Sequence, residues 1–206
     1  PEQAKLTATE PETVFAARVY AEYQRHLRAF NAVDFDDLIL LPVTLFQEHQ
    51  EVLERWQNRI HYLLVDEYQD TNTGQYLLVK LLVGPRSGLT VVGDDDQSIY
   101  SWRGARPENM IQLEKDYPSL KLIKLEQNYR SNNNILSAAN TLIANNPHIY
   151  DKKLWSQLGL GDQIRVLVCP NQDSEVERIA LEILSLCVNK RLRFRDFAVL
   201  YRGNHQ

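Results

Sequence analysis

Tyr62-Leu63-Leu64-Val65-Asp66-Glu67-Tyr68-Gln69-Asp70-Thr71-Asn72 is an apolar run that ends abruptly in three carboxylates. A short apolar run closed by a turn reads as a buried parallel strand whose C-terminal end opens on a crevice. Open α/β sheets bind their ligands in such crevices. Asp66 and Glu67 are adjacent, so on an extended backbone they point in different directions and can take different roles. One can hold a hydrated Mg²⁺ while the other polarises a water. This is the Walker-B pattern, in which a strand-end Asp holds the metal that bridges the β- and γ-phosphates of a nucleotide. The competing reading is a solvated acidic turn that caps a helix beginning near Thr73.

The chain before this strand is helical. Thr9-Glu10-Pro11-Glu12 has capping-box spacing, and Phe15, Val19, Tyr23, Leu27 and Phe30 follow at helical intervals to about Asn31. Asp34 can cap a second helix, with Pro42 placed to kink or divide it, and 48–58 forms a third. Asp34, Asp36 and Asp37 also resemble a metal cluster, although a cap with acids in the first helical turn explains all three. From His61 onward short apolar runs alternate with helical stretches, which argues for βαβ units and a mainly parallel sheet. The expected strands are 60–65, 89–93, 120–125, 164–168 and 197–201. The expected helices are 73–83, 107–116, 131–145 and 174–188, the last with a Ser174-Glu175-Val176-Glu177 capping box. Residues 147–161 are rich in turn formers and show no period.

The second strand ends as the first does, running through Gly93 into Asp94-Asp95-Asp96-Gln97-Ser98-Ile99-Tyr100-Ser101-Trp102-Arg103-Gly104-Ala105. Gln97 can donate and accept hydrogen bonds, so it suits a γ-phosphate oxygen or an attacking water. Tyr100, Trp102 and Arg103 are the parts of a stacking platform for single-stranded nucleic acid. Alternatively, the two aromatics belong to the core and Arg103 to a solvated loop. After the third strand, Glu126-Gln127-Asn128-Tyr129-Arg130-Ser131 places Arg130 immediately before a helix capped by Ser131. There it can act as an arginine finger on a phosphoryl group, or pair with Glu126 or an acidic neighbour. Trp56 and Trp155 read as core or contact residues, and Lys152-Lys153 as a solvated basic face.

The 206 residues are 44% hydrophobic and 24% charged with a net charge of -4, which excludes a disordered tail and any global basic footprint. Cys169 and Cys187 are far apart, and the five histidines lack metal-ligand spacing. Both cysteines read as core residues in a reducing compartment. No run approaches the roughly 20 apolar residues a membrane helix needs, so no membrane partner is expected and a cytoplasmic location is the default. The chain opens on Pro1 and stops at Gln206, just past a strand-like segment. A fragment of a longer protein is the expectation.

Together, Val65-Asp66-Glu67-Tyr68-Gln69-Asp70-Thr71, the 93–105 segment and Gln127-Asn128-Tyr129-Arg130-Ser131 resemble consecutive motifs of the superfamily 1 UvrD/Rep helicase family. The similarity extends from about Phe15 to the end. It implies an α/β, RecA-like parallel sheet with flanking helices, preceded by an all-helical segment. It also implies a motor that uses ATP and Mg²⁺ to move 3′ to 5′ along single-stranded DNA. Residues 1–31 would end an inserted helical subdomain, 32–125 would be the C-terminal part of the first motor domain, and 126–206 would start the second. By the resemblance Asp66 is the Mg²⁺ carboxylate and Glu67 the base that activates water. Gln97 and Arg130 read the γ-phosphate, while Tyr100, Trp102 and Arg103 hold bases. The partners implied are single-stranded DNA, the remainder of the parent helicase, and replication or repair proteins.

This sequence nowhere contains G-x-x-x-x-G-K-[ST], the loop that cradles nucleotide phosphates. The chain alone is therefore expected to be inactive, with catalysis belonging to the parent. A second reading is a non-catalytic α/β module that binds single-stranded DNA or a protein. A third, another Mg²⁺-dependent phosphohydrolase, leaves Tyr100-Ser101-Trp102-Arg103 unexplained.

Overall fold

The computed structural model describes residues 10–84 and 88–203. The expected Thr9 cap lies outside the described residues. Helix α1 (Pro11–Ala29) starts instead on a closed turn in which Glu10 N–H donates to Thr13 Oγ1 at 3.2 Å and the Thr13 hydroxyl returns to the Glu10 carbonyl at 2.8 Å. It ends in a Schellman arrangement around Asn31 at φ 48°, with Ala32 N–H on the Leu27 carbonyl and Asn31 N–H on that of Arg28. Helix α2 (Asp37–Glu48) is opened by a reciprocal pair: Asp37 N–H donates to Asp34 Oδ1 at 2.9 Å and Asp34 N–H to Asp37 Oδ2 at 3.3 Å. These two acids are thus helix-start groups. Pro42 lies inside α2 without dividing it, and α3 (Gln50–Arg59) follows after His49.

The apolar run then becomes β1 (Leu63–Val65), which pairs in parallel with β2 (Leu89–Val91) in the register Leu63↔Leu89, Leu64↔Thr90 and Val65↔Val91. Helix α4 (Thr73–Val83) makes the crossover between them. Beneath this pair Tyr68, Tyr76 and Leu113 form a buried cluster, packed by Val65, Leu89, Val91, Met110, Tyr117 and Leu120. Leu113, on α5 (Glu108–Asp116), is 2% exposed, and burying such a side chain is worth about 1.5–3 kcal/mol. The core therefore sits directly below the strand ends and fixes where their loops begin.

The sheet is smaller than the sequence pattern predicts. Among the described residues it has two strands, and the runs at 120–125, 164–168 and 197–201 carry no ladder. Most of their apolar side chains lie open, as at Val168 (92% exposed) and Leu200 (94%), although Leu120 packs on the core. A strand forms only where a neighbour takes its backbone groups and one of its faces, and none of these runs meets both conditions.

The chain divides into two compact units, one of residues 1–128 and 139–155 and the other of 129–138 and 156–206. In the first, Gln127 and Trp155 form an isolated parallel bridge, and Trp155 is 46% exposed, so of the two readings, core or contact residue, the core one does not hold for it. In the second, Asn133 and Ser156 exchange side-chain to backbone hydrogen bonds at 3.0 and 3.1 Å, and Asn134 Nδ2 donates to the carbonyls of Gly161 and Asp162. Helix α6 (Asn133–Ile143) is capped by Asn132, whose Oδ1 accepts Ile135 N–H, rather than by Ser131. Helix α7 (Gln172–Lys190) likewise starts from Asn171, whose Oδ1 accepts Ser174 N–H at 2.8 Å, so Ser174 lies inside the first turn and not at the cap. In both helices an Asn beside the helix start takes the cap in place of the predicted Ser, and since the two residue types cap about equally well, position rather than propensity decides. Cys169 and Cys187 are free thiols of intermediate burial.

Candidate functional site

The two strand ends are joined by a short set of hydrogen bonds. Past β1, Tyr68 N–H donates to the Val92 carbonyl at 2.9 Å, while Val92 N–H donates to that of Val65 at 2.8 Å. Parallel pairing thus continues into the loops. Gln69, 1% exposed, then spans them with its side chain: Nε2 donates to Glu67 Oε2 at 2.8 Å, and Oε1 accepts Asp94 N–H at 3.0 Å. Gly93 sits under this bridge, where an added Cβ would lie 2.8 Å from Gln69 Oε1 and 3.2 Å from Tyr68 N. The close approach requires a residue without a side chain.

Asp66 and Glu67 are both exposed at the end of β1. Glu67 adopts the left-handed backbone at φ 50°, ψ 44°, and its N–H donates to Asp66 Oδ1 at 2.9 Å. That conformation costs an L-residue roughly 1–2 kcal/mol and directs the two adjacent carboxylates apart. Neither caps α4. That task falls to Asn72 and Gln75, whose side chains each accept the other's backbone N–H at 2.9 and 3.0 Å, so the reading of Asp66 and Glu67 as capping groups fails.

The loop after β2 is held by Lys152, which the sequence placed on a solvated face. Its ammonium donates to Asp94 Oδ1 at 2.5 Å, to Asp95 Oδ1, and lies 3.1 Å from Asp96 Oδ2. Asp95 Oδ2 also accepts Ile149 N–H at 2.7 Å, and Asp96 Oδ1 meets His148 Nδ1 at 2.7 Å. Burial pushes the Asp94 carboxyl up, but hydrogen bonds from Lys152 and Gln97 outweigh it and hold the group below the ordinary carboxylate range. Asp95 follows the same balance, with Lys152 and Ile149 N–H prevailing over burial. Burial acts on Lys152 in the opposite sense, yet its three carboxylate partners raise it above the ordinary lysine value. Oxygen and nitrogen atoms of Asp95, Asp96 and His148 converge closely enough to hold a cation. The positive charge facing these acids is that of Lys152.

Gln97 is exposed, with Nε2 donating to Asp94 Oδ2 at 2.7 Å. Six residues on, Arg103 lies with Cζ 4.4 Å from the Trp102 ring centroid and 5.4 Å from that of Tyr100. Trp102 is 72% exposed, and the two rings are tilted at 54° with centroids 6.4 Å apart. The core reading of these aromatics fails, and an open cation-aromatic surface takes its place. The loop is tied back to the first strand end by Arg106 N–H and Asn109 Nδ2, both on the Thr71 carbonyl at 2.9 Å. Asp66, Glu67, Gln97, Tyr100, Trp102 and Arg103 all belong to the first unit. Arg130 belongs to the second, exposed on the bend before α6.

Sequence reasoning passed over Gln69 and Asn109, and set Lys152 on a solvated face where the fold places it among three carboxylates. Gln69 stood inside the quoted stretch, two residues past Glu67, and its uncharged polar chain beside a buried Tyr was the available signal. Asn109, 7% exposed, and Lys152 carry no local pattern that sets them apart.

Two family models cover the chain: the UvrD/REP helicase N-terminal domain matches residues 1–118, and the UvrD-like helicase C-terminal domain matches 123–206. Over all 206 residues the chain is 57% identical to the ATP-dependent DNA helicase Rep of Escherichia coli (strain K12), covering 31% of that protein. It is 52% identical to the Rep helicase of Buchnera aphidicola subsp. Acyrthosiphon pisum, covering 32%, and 46% identical to the ATP-dependent DNA helicase PcrA of Staphylococcus aureus (strain Mu50), covering 28%. The chain thus spans about a third of the length of the curated relatives it matches. With both models in order along its length and these strand-end loops in its fold, the chain belongs to the UvrD/Rep helicase family.

Proposed function

We propose that this chain is the segment of an ATP-dependent 3′ to 5′ DNA helicase or translocase that carries part of two RecA-like motor domains. The observation that carries the reading is the parallel β1–β2 pair, which delivers Asp66-Glu67 and Asp94–Gln97 from neighbouring strand ends, joined through Gln69. That is the rim on which open α/β sheets bind ligands. The domain limits we assign are 1–31 for the end of a helical subdomain, 32–125 for the first motor domain and 126–206 for the start of the second.

The acids suit a hard cation. Each of Asp66 and Glu67 has one oxygen recorded in a hydrogen bond and is otherwise open, and Mg²⁺ binds through one or two carboxylates plus phosphates and waters. Asp66 would hold Mg²⁺, which when bound supplies neutralisation of charge on the β- and γ-phosphates. Glu67 would take the proton of the attacking water, with its carboxylate steadied by Gln69. Gln97 and Arg130 would contact the γ-phosphoryl group, the arginine contributing charge stabilisation. Tyr100, Trp102 and Arg103 would stack on bases of single-stranded DNA. Replication or repair proteins would be further partners of the parent.

The sequence has no G-x-x-x-x-G-K-[ST] loop, so the isolated chain should fail to turn ATP over while the parent does so. The test is Mg²⁺-ATP turnover, with and without single-stranded DNA, by the complete reading frame and by this 206-residue chain, each beside Glu67→Gln. DNA-stimulated turnover in the complete protein, lost in Glu67→Gln, with background rates from the isolated chain, is the expected result. Turnover in the complete protein that ignores Glu67→Gln overturns the assignment of the base. Sustained Glu67-dependent turnover by the isolated chain overturns the claim that it is inactive.

A further inference from the structure

We propose that Lys152 is a positioning residue for Gln97, acting through Asp94. The inference rests on the reading of Gln97 as a contact of the γ-phosphoryl group or its attacking water. Asp94 is the junction. One of its carboxylate oxygens accepts from Lys152 Nζ at 2.5 Å, the other from Gln97 Nε2 at 2.7 Å, and its backbone N–H is held by Gln69, which also holds Glu67. A carboxylate that is free to rotate would offer Gln97 a moving acceptor. Asp96 N–H reaches the same Oδ1 at 3.2 Å, and Lys152 adds the shorter, charged contact, its ammonium shared with Asp95, whose side chain is 5% exposed and also pinned by Ile149 N–H.

The consequence falls on the glutamine amide. An Nε2 has two protons and Oε1 has its lone pairs. With one proton committed to Asp94, Gln97 presents one donor and one acceptor in a fixed sense, which matches a phosphate oxygen and a water proton side by side. Without Lys152, three consecutive carboxylates would face one another across a partly buried loop. Mutual repulsion would spread the loop and release the amide. Lys152 stands 58 positions after Asp94 in sequence and on neither strand end, so it acts on the reacting atoms through the carboxylates it holds, with Asp94 the one that carries Gln97.

The test has two arms. In the 206-residue chain, the side-chain amide resonances of Gln97 are followed by ¹⁵N NMR in the native chain, in Lys152→Ala and in Lys152→Arg. The native chain should give dispersed, slowly exchanging amide protons. Lys152→Ala should shift them towards those of a free glutamine, and Lys152→Arg should restore them. Unchanged Gln97 signals in a folded Lys152→Ala overturn the inference. Lys152→Gln, which keeps much of the stem and removes the charge, serves in its place if the alanine variant does not fold.

In the complete reading frame, DNA-stimulated ATP turnover is measured for Lys152→Ala, Gln97→Ala and the double variant. The expected result is a loss in kcat of roughly 10- to 100-fold for each single variant, as for small misplacements of a catalytic group. KM for ATP should change little, Lys152→Arg should recover most of the rate, and the double variant should be no worse than Gln97→Ala alone. Additive losses, or a loss confined to KM, overturn the inference and leave Gln97 in place. If Gln97→Ala leaves turnover unchanged, the reading of Gln97 falls instead, and the amide signals then decide the structural relay by themselves.

Discussion

Gln69 donates from Nε2 to the Glu67 carboxylate at 2.8 Å, and this bond joins the first strand end to the second because the same side chain accepts Asp94 N–H. At 1% exposure, Gln69 has no water to replace either partner. Gln69→Leu should therefore leave the part-buried Asp94 N–H short of a partner, while the exposed Glu67 carboxylate turns to water. The expected cost is about 1–3 kcal/mol in urea-induced unfolding of the chain. A change below a few tenths of a kcal/mol would mean that the bridge is not formed in solution.

Gly93 makes that bridge possible. Adding one methyl there would place it 2.8 Å from Gln69 Oε1 and 3.2 Å from Tyr68 N, the second a backbone atom of the pairing itself. Gly93→Ala should destabilise the chain by about 1–3 kcal/mol through overpacking. Gly93→Ala combined with Gln69→Ala should cost less than the sum of the separate changes, because the clash and the bridge share an atom. Equilibrium denaturation of the four proteins checks both statements.

What could be read from the residues was whatever local pattern determines. The helices near 11–29, 73–83 and 108–116 appeared where the apolar period placed them, and the parallel β1–β2 pair followed from two apolar runs that each end in acids. Tertiary competition decided the rest. The run at 164–168 has the strand composition of β1, yet composition supplies no neighbour, and Val168 stands open. Lys152 and Lys153 are adjacent and alike in sequence, but one ammonium lies among three carboxylates, while Lys153 contributes its backbone N–H to Glu126. Only the fold distinguishes them.

The same cluster sets an acid limit. Asp94 and Asp95 are held below their ordinary range by Lys152, with Gln97 and Ile149 N–H assisting and His148 facing the neighbouring Asp96. A group with a depressed folded value stabilises the chain above its unfolded pKa, about 3.9 for Asp, and loses that contribution as pH falls through the folded value. Lys152 runs the opposite way. Its contribution is complete below the unfolded lysine value of about 10.4 and is lost only as pH rises beyond it. Stability from this cluster should thus be level through neutral pH and fall below about pH 4. In Lys152→Gln that acid-side fall should be shallower, with lower stability at pH 7. Thermal melts at intervals from pH 3 to pH 8 would reveal either slope, and parallel curves for the two proteins would exclude Lys152 as the source.

Trp102, Tyr100 and Arg103 form an exposed surface in which the guanidinium lies 4.4 Å and 5.4 Å from the two ring centroids. If bases stack there, Trp102→Ala should weaken binding of an oligo(dT) strand by roughly 1–3 kcal/mol, as measured by fluorescence anisotropy. Arg103 admits a sharper distinction. A phosphate contact would contribute about 0.7 to the slope of log affinity against log salt on a single strand, and Arg103→Ala would remove it. A guanidinium that serves as part of the stacking surface would weaken binding with little change in slope. Lysine would not replace it, since an ammonium lacks the planar face. The ring distances favour the second outcome, so Arg103→Lys should bind nearly as poorly as Arg103→Ala at every salt concentration. A lysine variant that recovers both affinity and slope would assign Arg103 to the phosphate backbone.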